Sequence, residues 1–198
     1  MKYFKPVAMA ALAGCFFGFT SCDEDEDGFY NERYMETTQI VEIQTQPSYS
    51  VGDYLFVTAD ISRYLQEIGQ PDPLDIFTTT GGAQQFTFTY RLEKRQNDDT
   101  FASVVLSTND LEIISGEAQS TEFIVADAVY NPVLETYVYH VGMPLLEPGQ
   151  YRFSYGVNSD AIDKVELRSR SQGNNLNLNI ISRTTQLDNQ GFYTFQVQ

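Results

Sequence analysis

The chain has 198 residues, 42% hydrophobic and 14% aromatic, a composition that supports a folded core and excludes global disorder. Its 12 basic and 27 acidic residues give a formal charge of −15, which disfavours nucleic acid and anionic membrane surfaces as partners. The two cysteines, Cys15 and Cys22, both lie near the start of the chain. The remainder therefore has no disulfide framework, no cysteine-ligated metal and no thiol chemistry.

The first residues have the organisation of a secretory signal. Lys2 and Lys5 precede an uncharged, largely apolar stretch over residues 7–20, which is too short to span a bilayer comfortably. A small serine comes next, directly before Cys22. This order predicts a signal peptide over residues 1–21. Its removal takes away two of the 12 basic residues, leaving 10 against 27 acidic ones and a formal charge of −17.

The segment FTSC, residues 19–22, resembles the lipobox of Bacteroidota-type lipoproteins. The resemblance implies that Cys22 receives acyl chains, becomes the mature N-terminus and anchors the protein to a membrane. The segment that ends at Cys15 is formally closer to the general lipobox, but cleavage there would leave an apolar region of only about eight residues. Cys22 is therefore the predicted lipidation site.

Five acids follow Cys22 at once and resemble the acidic export tag of such lipoproteins, which usually begins with a small residue. The run consists of Asp23, Glu24, Asp25, Glu26 and Asp27. The resemblance implies an outer-membrane protein, lipid-anchored and exposed at the cell surface; a periplasm-facing orientation is the alternative. Repulsion between like charges predicts that residues 22–36 form an extended tether.

Beyond the acidic run, apolar and β-branched side chains alternate with polar ones in short stretches, which is the period of half-buried strands. Turns that contain glycine, proline or asparagine separate these stretches. One helix is predicted over residues 61–68, where Ile61, Leu65 and Ile68 have helical spacing. The predicted strands are residues 40–43, 54–59, 86–92, 102–106, 122–125, 136–141, 151–157, 176–181 and 192–197.

About nine short strands with such turns predict an all-β fold, an antiparallel β-sandwich over residues 37–198. The segment LEPGQYRF, residues 146–153, resembles the entry to strand F of immunoglobulin-like and fibronectin-type sandwiches. The resemblance implies an immunoglobulin-like β-sandwich, in which Tyr151 returns its hydroxyl to upstream backbone as a tyrosine corner. The chain has no tryptophan and lacks the Cys…Trp…Cys core, so a jelly roll or another sandwich topology stays open.

No catalytic constellation is recognisable. His140 is the only histidine and lies in a predicted strand, and no G-x-S-x-G nucleophile motif occurs. Clustered loop oxygens at residues 97–99, and at 158–160 with Asp163 and Glu166, are candidates for calcium without the spacing of a calcium loop. The sequence therefore predicts no catalytic residue, no metal and no cofactor, although paired carboxylates keep glycosidase chemistry open.

Tyrosines near predicted loops are the candidate binding residues, because tyrosine stacks on sugar rings and anchors protein contacts. Tyr64 and Tyr130 lead, since each borders a break that contains proline or glycine. The predicted function is a non-enzymatic binding module at the cell surface. The lipoprotein resemblance implies capture of glycan or another nutrient for an uptake system; the alternative is an adhesion or cell-envelope assembly subunit that contacts protein.

Overall fold

A computed structural model of the protein describes residues 31–155, 162–170 and 176–198. The protein is all-β, as predicted: 58% of the described residues are in strands, and helix is almost absent among them. One short helix, α1 (Ile76–Thr79), and one 3₁₀ turn (Thr108–Asp110) interrupt the strands of the described residues. These strands are β1 (Asn31–Thr38), β2 (Val41–Gln44), β3 (Tyr54–Ser62), β4 (Tyr64–Leu65), β5 (Leu74–Asp75), β6 (Gln85–Arg95), β7 (Phe101–Ser103), β8 (Glu112–Ser115), β9 (Glu117–Ser120), β10 (Ile124–Asn131), β11 (Thr136–Pro144), β12 (Gly149–Ser154), β13 (Lys164–Arg170), β14 (Leu176–Arg183) and β15 (Tyr193–Val197).

Thirteen strands form one sheet, and its main path runs β1-β14-β13-β6-β10-β11-β3-β2. Beside this path β9 pairs with β10 and β8 with β11, while β4 and β5 form a separate two-stranded ribbon. The sheet is mixed, whereas the sequence predicted a wholly antiparallel one. The exception is β1, which pairs with β14 in parallel register.

The first strand begins inside the segment 22–36 that the sequence analysis assigned to a tether. Met35 and Thr37 are buried on one face of β1, so this charged stretch still has the two-residue period of a strand. Directly after β1, the backbone N–H of Gln39 donates to the carbonyl of Arg183 at 2.9 Å. The chain then leaves β14 and joins β3 as β2, which places consecutive strands at the two ends of the sheet path.

Strand β6 belongs to two groups of strands. Its first half, residues 85–90, pairs with β10 and in part with β13. Its second half, residues 91–95, pairs with β12 and β7, and β12 in turn pairs with β15. One continuous strand therefore connects both groups around a shared core.

Aromatic side chains form much of that core, which is a single hydrophobic cluster with members from both groups of strands. The hydroxyls of Tyr90 and Tyr139 are 2.7 Å apart, so one donates a hydrogen bond to the other in the interior. Burial raises the pKa of both tyrosines above the usual value. Phe88 packs edge-on against Tyr139, with ring centroids 5.2 Å apart.

Most of the predicted strands are confirmed, but the predicted helix over residues 61–68 is wrong. Ile61 lies in β3 and is buried, and Tyr64–Leu65 form β4. Val57, Ala59 and Ile61 share the inward face of β3, and a helix at this point would remove Ile61 from the core. Tertiary packing therefore overrides the local helical spacing.

Candidate functional site

Arg63 lies between β3 and β4 and is fixed by two carboxylates. Its Nε and Nη2 donate to the two carboxylate oxygens of Asp75 at 3.0 and 2.8 Å, and its Nη1 donates to Glu135 Oε1 at 2.9 Å. Asp75 also caps α1 by accepting from the backbone N–H of Thr78. The Arg63 guanidinium lowers the pKa of Asp75 well below its usual range, so the pair is charged at neutral pH.

Aromatic rings lie beside this guanidinium. Arg63 Cζ is 5.2 Å from the ring centroid of Tyr64 and 5.4 Å from that of Phe77, which are cation–π distances. Phe77 in turn stacks on Tyr130, with centroids 4.5 Å apart and an interplanar angle of 25°. We call these four residues the aromatic–arginine stack. Its outer member, Tyr64, is 50% exposed, whereas Tyr130 is half-buried against the core.

The turn between β10 and β11 presents two apolar side chains to solvent, Val133 and Leu134, which we call the hairpin tip. They are 88% and 63% exposed. Asn131 Oδ1 shapes the turn by accepting from both of their backbone N–H groups, at 3.0 and 3.2 Å. The backbone N–H of Arg63 donates to the carbonyl of Glu135 at 2.9 Å, so the tip is held next to the aromatic–arginine stack.

A polar groove extends along β6, β13 and β14. It comprises two depressions of about 400 and 870 Å³ that share Arg168 and Arg170. Lining side chains with amide, hydroxyl or carboxylate groups also include Gln84, Gln85, Thr87, Thr89, Glu166 and Asn177. Such groups orient ligands that carry many hydroxyls.

Strand alternation brings the two arginines to this groove. Leu167 and Ser169 in β13 are buried, while Arg168 and Arg170 are exposed. Glu166 shares their face of the strand because it also alternates with the buried residues. The groove is therefore built on the regular outer side of the sheet, where the positions of the side chains are set by backbone pairing.

Cross-strand hydrogen bonds brace the groove walls. The Thr87 hydroxyl donates to the carboxylate of Asp127, and Gln85 Nε2 donates to Glu117 Oε2 at 3.2 Å. These contacts fix side chains before a ligand arrives, which reduces the entropy that binding would otherwise cost.

The groove and the aromatic–arginine stack meet at the turn Gly81–Gly82. Both glycines line the groove and have positive φ angles of 67° and 88°, a region that favours glycine. A Cβ built on Gly82 would lie 3.5 Å from Phe77 Cζ. A ligand that fills the groove up to this turn would therefore end beside the ring of Phe77.

The structure brings together the two tyrosines that the sequence predicts as binding residues. Tyr64 and Tyr130 both belong to the stack, and Arg63 and Phe77, which sequence reasoning missed, connect them. Nothing in the local sequence indicates that connection, because Asp75 and Glu135, which fix Arg63, lie 12 and 72 residues away along the chain. The groove arginines were also missed, although the alternation of β13 was a usable signal.

The other sequence-predicted positions lie either outside the described residues or in local contacts. Cys22, the acidic run 23–27 and the loop 158–160 lie outside the described residues. Asp98 accepts from the backbone N–H and the hydroxyl of Thr100, a local turn that lowers the pKa of Asp98. His140 packs edge-on against Phe56, with centroids 5.0 Å apart. Within the described ranges, no three His, Cys, Asp or Glu residues are grouped to hold a metal ion.

Tyr151 lies in β12, away from the stack and the groove linings. Its hydroxyl donates to the backbone carbonyl of Glu147 at 2.8 Å, four residues upstream. The ring is buried and stacks on Phe195, with centroids 5.7 Å apart. Burial is the main cause that raises the pKa of Tyr151.

Replacing Tyr151 with phenylalanine should lower the free energy of unfolding by about 1–1.5 kcal/mol, because one buried hydrogen bond is lost while ring packing remains. The measurement is chemical denaturation. Tyr64→Phe is the matched control, since within the described residues the Tyr64 hydroxyl makes no hydrogen bond and the side chain is exposed. Identical denaturation midpoints for wild type and Tyr151→Phe would contradict a structural role for this hydroxyl.

No protein-family model, no curated protein and no solved structure matches the chain. In the part of the chain that the structure describes, no helix has the length and apolar character needed to cross a membrane. The polar groove, the aromatic–arginine stack and the hairpin tip are thus the features that bear on function.

Proposed function

We propose that this protein is a non-enzymatic binding module, lipid-anchored at Cys22 and displayed at the cell surface, which captures glycan for an uptake system. The observation that carries the binding role is the polar groove, which ends beside the stacked rings of Phe77 and Tyr130. Oligosaccharides offer hydroxyls to planar polar side chains and apolar ring faces to aromatic residues. The FTSC segment and the acidic residues 23–27 support the anchor and the surface location.

For the fold we propose an immunoglobulin-like sandwich. Two features support it: the division of β6 between two groups of strands that share one core, and the hydroxyl contact of Tyr151 with upstream backbone. In this arrangement the groove lies on the outer side of one group of strands, where a ligand is reached directly from solvent.

Binding without conversion is favoured by the chemistry of the groove. Glycosidic cleavage uses two carboxylates that flank the scissile bond at about 5–10 Å from each other. Among the described residues that line the groove, Glu166 is the one carboxylate. The other polar residues there carry amide, hydroxyl or guanidinium groups. Such a lining is suited to holding a glycan in place.

A second candidate function is contact with a protein partner, as in adhesion or cell-envelope assembly. The hairpin tip favours it, because exposed Val133 and Leu134 stand next to Tyr64 and Arg63. Tyrosine and arginine next to apolar side chains are the residue types that dominate protein–protein contacts.

The test separates these candidates with paired variants. The full-length protein should be retained by a polysaccharide, without release of reducing sugar, in affinity electrophoresis against a panel of cell-wall and storage glycans. Replacing two of the groove amides, Gln85→Ala with Asn177→Ala, should weaken retention about thirtyfold, since each lost hydrogen bond contributes about 1 kcal/mol. Tyr64→Ala should weaken it severalfold if the glycan reaches the stack.

Two exposed amides on other strands supply the control, as Gln44→Ala with Gln119→Ala. This control should bind like the wild type. Retention of a cell-envelope protein but of no glycan, abolished by Val133→Ser with Leu134→Ser, would replace glycan capture with the adhesion role. Release of reducing sugar that depends on one carboxylate would overturn the non-enzymatic assignment.

A further inference from the structure

Two arginines line the polar groove of an otherwise acidic protein. The chain carries a formal charge of −15, yet both depressions of the groove are lined by Arg168 and Arg170. At physiological salt the Debye length is about 8 Å, so charges within and beside the groove dominate its local field. Glu166 also lines the groove and Glu32 lies 3.6 Å from Arg168, so what distinguishes the groove is the guanidinium donors that these carboxylates leave unpaired.

Neighbouring residues orient Arg168 without pairing all of its N–H donors. Its Nε donates to Asn179 Oδ1 at 2.9 Å, which fixes the plane of the guanidinium. Its Nη2 lies 3.6 Å from Glu32 Oε1, a looser contact than a charge-assisted hydrogen bond. Among the described residues, the buried Nδ2 of Asn179 has no hydrogen-bond partner, so this amide leaves a donor unpaired beside Arg168.

Among the described residues, Arg170 has still more unpaired N–H donors than Arg168. Its side chain is exposed, and among the described residues no carboxylate lies within ion-pair distance of it. The guanidinium presents a rigid fork of N–H donors that matches the two oxygens of a carboxylate. Two such forks, two positions apart on one strand, define a site with an anionic preference.

We propose that the polar groove takes an acidic glycan, in which sugar carboxylates pair with Arg168 and Arg170 and sugar hydroxyls meet the amides and threonines. This proposal rests on the glycan-binding function proposed above and names the class of glycan. Neutral glycans depend mainly on aromatic stacking, but Phe88, the aromatic residue among the described residues that line the groove, is buried in the core and only 2% exposed. The charged middle of the groove is where the acidic residues of a uronate chain would lie.

The experiment compares polyuronates with their own methyl esters, which keep the backbone and remove the charge. The full-length protein is titrated calorimetrically with polygalacturonate and alginate, each in acidic and fully esterified form. We expect at least tenfold tighter binding of one acidic polymer than of its ester. Arg168→Gln and Arg170→Gln should each weaken binding of the acid about five- to tenfold and leave binding of the ester unchanged.

Arg95→Gln is the charge-matched control, because Arg95 is exposed, pairs with Asp99 at 2.9 Å and does not line the groove. It should bind as the wild type does. Equal affinity for acid and ester, or an equal loss in the control, would overturn the acidic preference and leave glycan capture standing. Retention of neither form of any polysaccharide would overturn both. Thermal unfolding of each variant shows whether a loss of binding reflects a loss of fold.

Discussion

Replacing Cys22 with alanine should abolish incorporation of a fatty-acid analogue and move the protein from the membrane fraction to the soluble fraction. The effect should be close to all-or-none, because each buried methylene of an acyl chain contributes about 0.8 kcal/mol and stable anchoring needs more than one chain. In-cell labelling followed by fractionation measures both outcomes. The expectation follows from the FTSC segment that ends at Cys22.

Two further variants test the lipid anchor and the surface location separately. Cys15→Ala should label like the wild type, and the reverse pattern would assign lipidation to Cys15. Replacing residues 23–27 with asparagine should preserve labelling but protect the protein from protease added to whole cells. A wild-type protein already protected from that protease would favour the periplasm-facing orientation.

The strands could be predicted because their signal is local. In β3 and β6, alternate positions are apolar, and the pleat turns that period into one buried face. Strand β1 lacks this contrast, since Met35 and Thr37 are its only buried positions within the charged sequence NERYMETT. Its pairing with β14 joins residues more than a hundred positions apart, which no window of sequence contains.

In the candidate site, too, some features follow from the local sequence and others from long-range contacts. Exposure of Tyr64 could be inferred from a neighbouring turn, and it is found in the structure. The role of Arg63 could not, because Asp75 in β5 and Glu135 in the turn before β11 reach it from different parts of the chain. Ion pairs between segments depend on sheet register, and register is set by the whole core. The aromatic–arginine stack is thus a product of tertiary structure and the groove a product of local alternation.

Gly116 joins β8, which pairs with β11, to β9, which pairs with β10. Its φ is +78°, and a Cβ at this position would lie 2.8 Å from both the carbonyl oxygen of Asp127 and Cδ2 of Tyr139. The Tyr139 ring has little freedom to yield, since its hydroxyl is bonded to that of Tyr90 in the core. Gly116→Ala therefore combines backbone strain with overpacking, each costing about 1–3 kcal/mol.

We expect Gly116→Ala to lower the free energy of unfolding by about 3 kcal/mol, which corresponds to a fall in melting temperature of about 10 °C for a protein of this size. Gly52→Ala separates the two causes, because Gly52 also has a positive φ, +96°, but no atom lies within 4 Å of the position that a Cβ would take there. It should cost only about 1 kcal/mol, the strain alone. Chemical and thermal denaturation measure both variants. Equal losses in the two would show that the close approach of Asp127 and Tyr139 is relieved by small movements, and that backbone strain alone makes glycine necessary at the junction of β8 and β9.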